Sequence, residues 1–428
     1  MSSWESEAQT RRKRIDPKLA AQGWQLADFD ATESLQSLDS KAIAEFPTDN
    51  GPADYALCLD GMVAGVVEAK KVTVGPQNVL TQAARYSQGV REHRAEYGEG
   101  FKTPFLYSTN GEIIWFQDVR DPLNRSRKVK AFHTPVALRE MLRRDDKAAW
   151  ETLSAMQFRE GSVRPYQEAA IKAVEQAISD RKRQMMVVMA TGTGKTRTTI
   201  QQAYRLMKSG AAKRILFLVD RRALAAQTVR AFASFECEPG LKFDKTYEVY
   251  SQRFQQADLD DDSGEKFDPK VLPNRYLTDP QEGDAFVYVC TIQRMAINLF
   301  GRQGMLEGLG ESEDDAEQLS IPIHAFDLII ADECHRGYSR KEEAIWRDTL
   351  DHFDAIKVGL TATPAAHTVA YFGDPVYRYT YKQAVDDGYL VDFDVVRVRS
   401  DVRIEGVTLK EGERIEVVDT EVGTTKNI

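Results

Sequence analysis

Met186-Val187-Val188-Met189-Ala190-Thr191-Gly192-Thr193-Gly194-Lys195-Thr196 is an apolar run that breaks into a glycine-spaced turn and closes on Lys-Thr. A buried parallel strand delivering the chain to such a turn, with helix-forming residues after it, aims free N–H groups and the positive end of a helix dipole at an anion. Gly192 and Gly194, interleaved with Thr191 and Thr193, let the backbone approach phosphates without a Cβ clash. Lys195 is then placed to neutralise β/γ-phosphate charge, and the Thr196 hydroxyl to ligate Mg²⁺. The strict pattern has a glycine where this chain has Met189. An ordinary strand-to-helix turn would explain neither Lys195 nor Thr196.

Working outward, apolar runs at 215–219, 286–290, 328–331 and 356–360 alternate with helical stretches. That rhythm predicts an α/β fold with a doubly wound parallel sheet. Ligands of such sheets bind beyond the carboxyl ends of the strands, and the polar motifs fall there. Asp332-Glu333-Cys334-His335 follows one strand, Thr361-Ala362-Thr363-Pro364 another, and Asp220-Arg221-Arg222 a third. Asp332 is suited to holding Mg²⁺ and Glu333 to orienting and deprotonating an attacking water. His335, Thr361 and Thr363 are suited to reporting the nucleotide state.

The front of the chain carries a second chemistry. Residues 4–38 read as helical, with Leu19, Trp24 and Leu26 on an apolar side, and the cluster Arg11-Arg12-Lys13-Arg14 reads as a solvated face. Residues 54–59 and 63–70 are β-rich runs around Asp60-Gly61, a hairpin signal. Glu68 and Lys70 share a strand face. Whether Asp54 joins them depends on register: a two-residue loop pairs Asp54 with Val67 and turns the carboxylates apart, so a three-residue loop or a bulge must supply one odd residue. Two carboxylates and a lysine are what metal-assisted phosphodiester hydrolysis requires. A charged strand end is the plain alternative. Gln82 and Tyr86 lie at i and i+4 of a predicted helix. A second hairpin around Asn110-Gly111 is expected to complete this sheet, residues 117–160 to be largely helical, and the linker to fall near 156–161.

At 428 residues, 42% hydrophobic and 29% charged, the chain can bury two or three cores. No apolar run approaches the ~18 residues that span a bilayer, and residues 1–14 are too polar for a signal peptide, so no membrane association and a cytoplasmic location are expected. Cys58, Cys237, Cys290 and Cys334 are far apart without a CxxC pair, against a disulfide framework or zinc knuckle. The net charge of −9 hides a segregation. Residues 164–230 carry 14 Lys/Arg against 4 Asp/Glu, and residues 258–317 carry 5 against 15. The basic block suits a DNA backbone, or else solvated helix faces. The acidic segments 252–284 and 301–320 read as surface insertions.

The set from Met189 to Thr196, with Asp332-Glu-Cys-His335 and Thr361-Ala-Thr-Pro364, resembles the first RecA-like lobe of superfamily-two helicases and translocases. That resemblance implies that Arg164 and Gln167 contact adenine, and that segments containing Arg221, Arg222, Thr291 and Gln293 lie along the DNA backbone. Ala53-Asp54 with Glu68-Ala69-Lys70 resembles the PD-(D/E)xK nuclease core. The two together, with Gln82 and Tyr86, resemble the restriction (motor) subunit of type I restriction-modification enzymes over nearly the whole chain. The resemblance implies a nuclease domain over 1–155, a first motor lobe over 156–385, and a connection at 386–428 toward a second lobe. It also implies ATP and Mg²⁺ as cofactors, and double-stranded DNA, methyltransferase and specificity subunits as partners, with S-adenosylmethionine entering only through the methyltransferase. Only about forty residues follow Tyr389, and no Gln-x-x-Gly-Arg-x-x-Arg motif supplies an arginine finger, so an amino-terminal fragment of a longer subunit is expected. The competing readings are a type III restriction or repair helicase without an active nuclease, and a DNA-binding module using ATP as a switch.

Overall fold

The computed structural model describes residues 6–70, 80–254, 268–302, 315–334, 340–392, 416–419 and 424–427. The chain opens with α1 (Glu7–Thr10), a π-turn (Arg11–Ile15) and α2 (Asp16–Ala21), followed by β1 (Gln25–Asp28), β2 (Lys41–Phe46), β3 (Ala53–Leu59) and β4 (Met62–Ala69). Next come α3 (Leu80–Gln88), β5 (Phe105–Thr109), β6 (Ile114–Asp118), β7 (Arg127–Val129), α4 (Pro135–Arg143) and α5 (Asp146–Ala155). The seven strands form one mixed sheet in sequential order, β4 and β5 being parallel. The helix expected to reach residue 38 stops at Ala21. Gly23 takes a positive φ of 84° there, and Leu26 becomes a 41% exposed residue of β1. Trp4 lies outside the described residues. Residues 117–160 are helical only in their later part, since β7 interrupts them.

The second sheet is built from β8 (Gln184–Met189), β9 (Arg214–Val219), β12 (Glu248–Ser251), β13 (Phe286–Thr291), β14 (Leu328–Ala331), β15 (Ile356–Thr361) and β16 (Tyr377–Tyr379). β10 (Glu236–Glu238) and β11 (Leu241–Lys242) pair apart from it, as do β17 (Glu416–Asp419) and β18 (Thr424–Asn427). Its spatial order is β12-β13-β9-β14-β15-β8-β16, every pairing parallel. Both faces are covered, which is why these strands read as unbroken apolar runs. Val187, Phe217, Val289 and Ile330 face one core, while Val188, Leu218, Cys290 and Ile329 face the other. The expected doubly wound α/β architecture is the one observed.

The acidic segments are not purely surface. Leu272 and Leu277 are buried beside Phe286 and Tyr288, and Ala316 is also buried, so apolar anchors hidden among the carboxylates tie described parts of both segments to the core. Residues 255–267 and 303–314 lie outside the described residues.

The two sheets meet through ion pairs. Ala149 and Leu153 of α5 join the core of the second sheet. Asp354, just before β15, accepts from Arg127 of β7 at 2.6 and 2.8 Å, from Arg183 at 2.9 Å, and lies 2.9 Å from His133 Nε2. Asp327, just before β14, accepts from Arg144, which follows α4, at 3.5 Å, as well as from the Lys213 and Arg214 backbone N–H groups of its own sheet at 2.9 Å. The first sheet therefore docks at the amino ends of β14 and β15, opposite their motif-bearing ends.

Candidate active sites

The hairpin of β3 and β4 turns on Asp60-Gly61, both at positive φ, a two-residue loop that pairs Leu59 with Met62 and Cys58 with Val63. Left alone, that register would turn the carboxylates apart. A bulge intervenes: Leu57 pairs with Gly65, Ala56 with Val66 and Tyr55 with Val67, leaving Ala64 as the extra residue. Continued one step, the shifted register brings Asp54 opposite Glu68. Of the alternatives open in the sequence, the bulge supplies the odd residue. Gly65 is required beside it, because a Cβ there would stand 2.9 Å from the Phe105 carbonyl oxygen.

Asp54, Glu68 and Glu7 bring carboxylate oxygens within 4.8 Å of one another. Glu68 is 2% exposed, and its Oε2 has no hydrogen-bond partner. Its Oε1 accepts from Lys70 Nζ, which also lies 3.8 Å from Glu7. Burial and the Asp54 carboxylate push the Glu68 carboxyl up to about 7 against the pull of Lys70. Burial also lifts Asp54 above its ordinary value, although Asp54 Oδ2 accepts from the Ala69 N–H at 2.8 Å and Arg11 stands nearby. A buried carboxylate oxygen left unsatisfied between two further carboxylates costs free energy that a divalent cation would recover. The donor set, all oxygen with a lysine beside it, fits Mg²⁺ or Mn²⁺.

α3 lies on the same side of this sheet, with Leu80 and Ala83 buried in the core that also holds Ala56 and Val66. Burial raises the Tyr86 hydroxyl, and the Glu68 and Asp54 charges raise it further; Gln82 sits one turn earlier on α3. The sequence reading missed Glu7 and Arg11. Glu7 lies 47 residues before Asp54 with no motif around it. Arg11 was read as part of a solvated face, yet its side chain is only 16% exposed and reaches Asp54 Oδ1 at 3.2 Å. Arg12 and Lys13 are exposed as expected.

At the second site Met189 ends β8 and pairs with Tyr379, so the position that a strict loop gives to glycine is still strand here. Gly192 and Gly194 adopt φ of 84° and 83°, and Gly194 caps α7 (Lys195–Lys208). A Cβ on Gly194 would lie 2.6 Å from Gln167 Nε2. The loop is held from below: Thr193 Oγ1 donates to the Ala190 carbonyl at 2.6 Å, while Tyr166 Oη and Gln167 Nε2 donate to the Thr193 carbonyl at 2.8 and 3.0 Å. Gln167 Oε1 accepts from the Arg164 N–H, and the exposed Arg164 guanidinium stacks 4.9 Å from the Tyr389 ring centre. Thr191 is exposed at the loop tip and Thr196 half-buried on the first turn of α7.

Lys195 Nζ lies 3.3 Å from Glu333 Oε1, and Glu333 holds a positive φ of 48°. Burial and Glu333 raise Asp332 to about 6 against the attraction of Lys195. Thr361 pairs with Val188 of the loop-bearing strand, and its Oγ1 accepts from the Thr363 N–H at 3.1 Å. These residues converge. Others are turned to structural tasks: Arg222 is buried and donates to the Arg253 carbonyl at 3.1 Å, and Thr291 is buried as the cap of the helix Ile292–Phe300, with its N–H on Gln252. Arg221 is exposed beside Asp220, and Gln293 half-buried. His335 lies outside the described residues.

Residues 29–142 match the family model described as "Type I restriction enzyme EcoKI endonuclease subunit second domain", and residues 160–366 that described as "Type III restriction enzyme, res subunit". The chain is 33% identical to the EcoKI endonuclease subunit of Escherichia coli K12 over 94% of its own length and 36% of that protein's. It is 31% identical to the EcoAI endonuclease subunit of Escherichia coli, over 78% of this chain and 37% of the other. A solved fragment of a candidate HsdR subunit from Vibrio vulnificus YJ016 is 24% identical over 90% of this chain and 62% of that one, with a TM-score of 0.34. The chain spans a little over a third of the curated relatives' length. Among the described residues no helix is long and apolar enough to cross a membrane. This chain therefore belongs to the family of type I restriction enzyme endonuclease subunits.

Proposed function

We propose that the chain forms the nuclease and first motor lobe of an ATP-dependent type I restriction endonuclease, which translocates duplex DNA and cleaves it when unmodified. The observation that carries this is the bulge at Ala64, which sets Glu68 beside Asp54 and leaves Glu68 Oε2 buried and unsatisfied on a chain that also bears a phosphate loop. The nuclease unit is assigned to 1–155, with α5 its point of packing on a motor lobe at 156–385.

Asp54, Glu68 and Glu7 would hold the divalent ion. Bound there, it would lower the pKa of a water and stabilise charge on the phosphate. Lys70, fixed by Glu68, presents an ammonium to the attacked phosphate or the water, and Tyr86 and Gln82 of α3 border the approach. In the motor lobe Lys195, paired with Glu333 here, would turn to the β/γ-phosphates of a bound ATP and leave Glu333 to orient water, while Thr196 and Asp332 would hold the nucleotide's Mg²⁺. Thr361 and Thr363, next to the loop-bearing strand, are placed to pass the nucleotide state toward DNA, a path to which Arg221 and Gln293 also belong. Partner methyltransferase and specificity subunits would supply sequence recognition and S-adenosylmethionine use, in the cytoplasm. A nuclease-like sheet that precedes the motor sheet favours this reading over a type III arrangement.

The experiment is divalent-metal-dependent nicking of unmodified DNA by the assembled enzyme, with Glu68→Ala and Lys195→Ala variants. Glu68→Ala is expected to abolish cutting and keep ATP hydrolysis, and Lys195→Ala to lose hydrolysis. Cutting that survives Glu68→Ala refutes the assignment.

A further inference from the structure

The basic run at 11–14 sends one residue, Arg11, into the carboxylate site. The helix carrying it is pinned: Ile15 and Leu19 are fully buried, and Tyr55 Oη donates to Asp16 Oδ1. Arg11 donates to Asp54 Oδ1 at 3.2 Å and to Glu45, with its guanidinium 5.1 Å from the Tyr55 ring centre. The two oxygens of Asp54 are thus both committed, Oδ2 to the Ala69 N–H and Oδ1 to Arg11. They are not equally committed. The Ala69 N–H belongs to a strand backbone locked between β3 and β5, whereas the guanidinium ends a flexible side chain with a second carboxylate to fall back on.

We propose that Arg11 is a metal-gated positioning residue: it neutralises Asp54 while the site is metal-free, yields Asp54 Oδ1 to the entering cation, and then presents its guanidinium to the phosphodiester that the cation binds. This rests on the nuclease reading above. The charge pattern requires such a part. Four carboxylates, Glu45 included, face two cations, Lys70 and Arg11, so the metal-free pocket repels a phosphate, and a divalent ion cancels the excess negative charge. Without Arg11 the pocket would be more acidic before metal entry and less cationic after it. Glu45 and the Tyr55 face keep the displaced guanidinium within reach, and the planar fork suits a phosphate oxygen pair better than an ammonium does.

The test uses the whole chain, with Mn²⁺ binding followed by electron paramagnetic resonance in the absence of nucleotide, Glu68→Ala marking which signal belongs to this site. Arg11→Ala is expected to tighten Mn²⁺ binding there by roughly tenfold, because one nearby positive charge and one competing ion pair are lost. The second readout is anisotropy of a short labelled duplex with Ca²⁺ as the probe ion. Wild type is expected to gain affinity when Ca²⁺ is added, and Arg11→Ala to lose at least about threefold of that gain. Arg11→Gln, which keeps bulk over Tyr55, is the variant to use if Arg11→Ala melts early, with the same expectations. Unchanged or weaker Mn²⁺ binding in the variants overturns the proposal while leaving the nuclease reading intact, as does a full Ca²⁺-dependent gain. Wild-type protein with no Mn²⁺ signal sensitive to Glu68→Ala overturns both.

Discussion

Replacing Asp354 with alanine tests how the two sheets are held together. The carboxylate is 6% exposed and is the only anion paired with both Arg127 and Arg183 among the described residues, with His133 as a third neighbour. Arg127 binds it with two parallel hydrogen bonds of 2.6 and 2.8 Å, the strong geometry for a guanidinium. Arg183 is a third exposed and counts for less after solvent screening. Removing one partner of a buried pair costs about 3–5 kcal/mol, because the other charge stays behind unpaired. At about 2–4 °C per kcal/mol for a domain of this size, the melting transition is expected to fall by roughly 6 °C or more. Urea unfolding at several pH values is the assay, with Arg127→Ala and the Arg127→Ala/Asp354→Ala double variant completing a cycle. Burial pushes the Asp354 carboxyl up, but Arg127, Arg183 and His133 outweigh it and hold it well below its ordinary range. A depressed acid contributes stability above its unfolded pKa and loses it as pH falls through the folded one. The wild-type advantage should therefore be flat from pH 5 to 8 and shrink only below about pH 4. A loss under about 0.5 kcal/mol, or additive single variants, would refute the reasoning.

Three further outcomes are expected. Inserting an alanine between Val66 and Val67 brings Val67 opposite Asp54 and turns Glu68 to the other sheet face, so site-specific Mn²⁺ binding should vanish in calorimetry; retention at wild-type affinity would show that this register does not build the site. Gly194→Ala forces a side chain into φ 83°, at about 1–2 kcal/mol, and pushes the Gln167 amide off the Thr193 carbonyl, so ATP-analogue affinity should drop tenfold or more in fluorescence titrations. Because the Glu68 carboxyl sits at about 7, metal affinity should climb by up to about tenfold per pH unit toward pH 7 and level off above it. A raised acid costs stability as it ionises, so the metal-free chain should lose stability between its ordinary 4.5 and about 7, and metal should restore it; a flat profile would count against a raised Glu68.

Much of this was legible in the residues because local chemistry and topology agree. The loop at 191–196, the acidic pair Asp332-Glu333 and the Thr361-Thr363 turn each follow an apolar strand, and a parallel sheet brings strand ends together whatever the connections do. The front site was legible only in part. Asp54 and Glu68 lie on one face through a single unpaired residue, and no propensity marks Ala64 as a bulge. Glu7 and Arg11 reach the site because Ile15 and Leu19 anchor a helix broken by a π-turn, whereas a run of four basic residues reads on its charge alone as a solvated face. Arg222 and Thr291, polar residues past strand ends that were read toward DNA, are buried, with Arg222 donating to the Arg253 carbonyl and the Thr291 hydroxyl accepting from the Arg294 N–H. The contact between the sheets had no signature, since Arg127 and Asp354 are 227 residues apart.

The central claim is that Glu68 and Asp54 share one cation. Crystals of the chain grown with Mn²⁺, measured at an energy where manganese scatters anomalously, test it most directly. The account predicts a peak between Glu68 Oε2 and Asp54, within about 2.0–2.3 Å of the ligating oxygens, that disappears in Glu68→Ala. Wild-type crystals with manganese only at the phosphate loop, and none between these carboxylates, would contradict it.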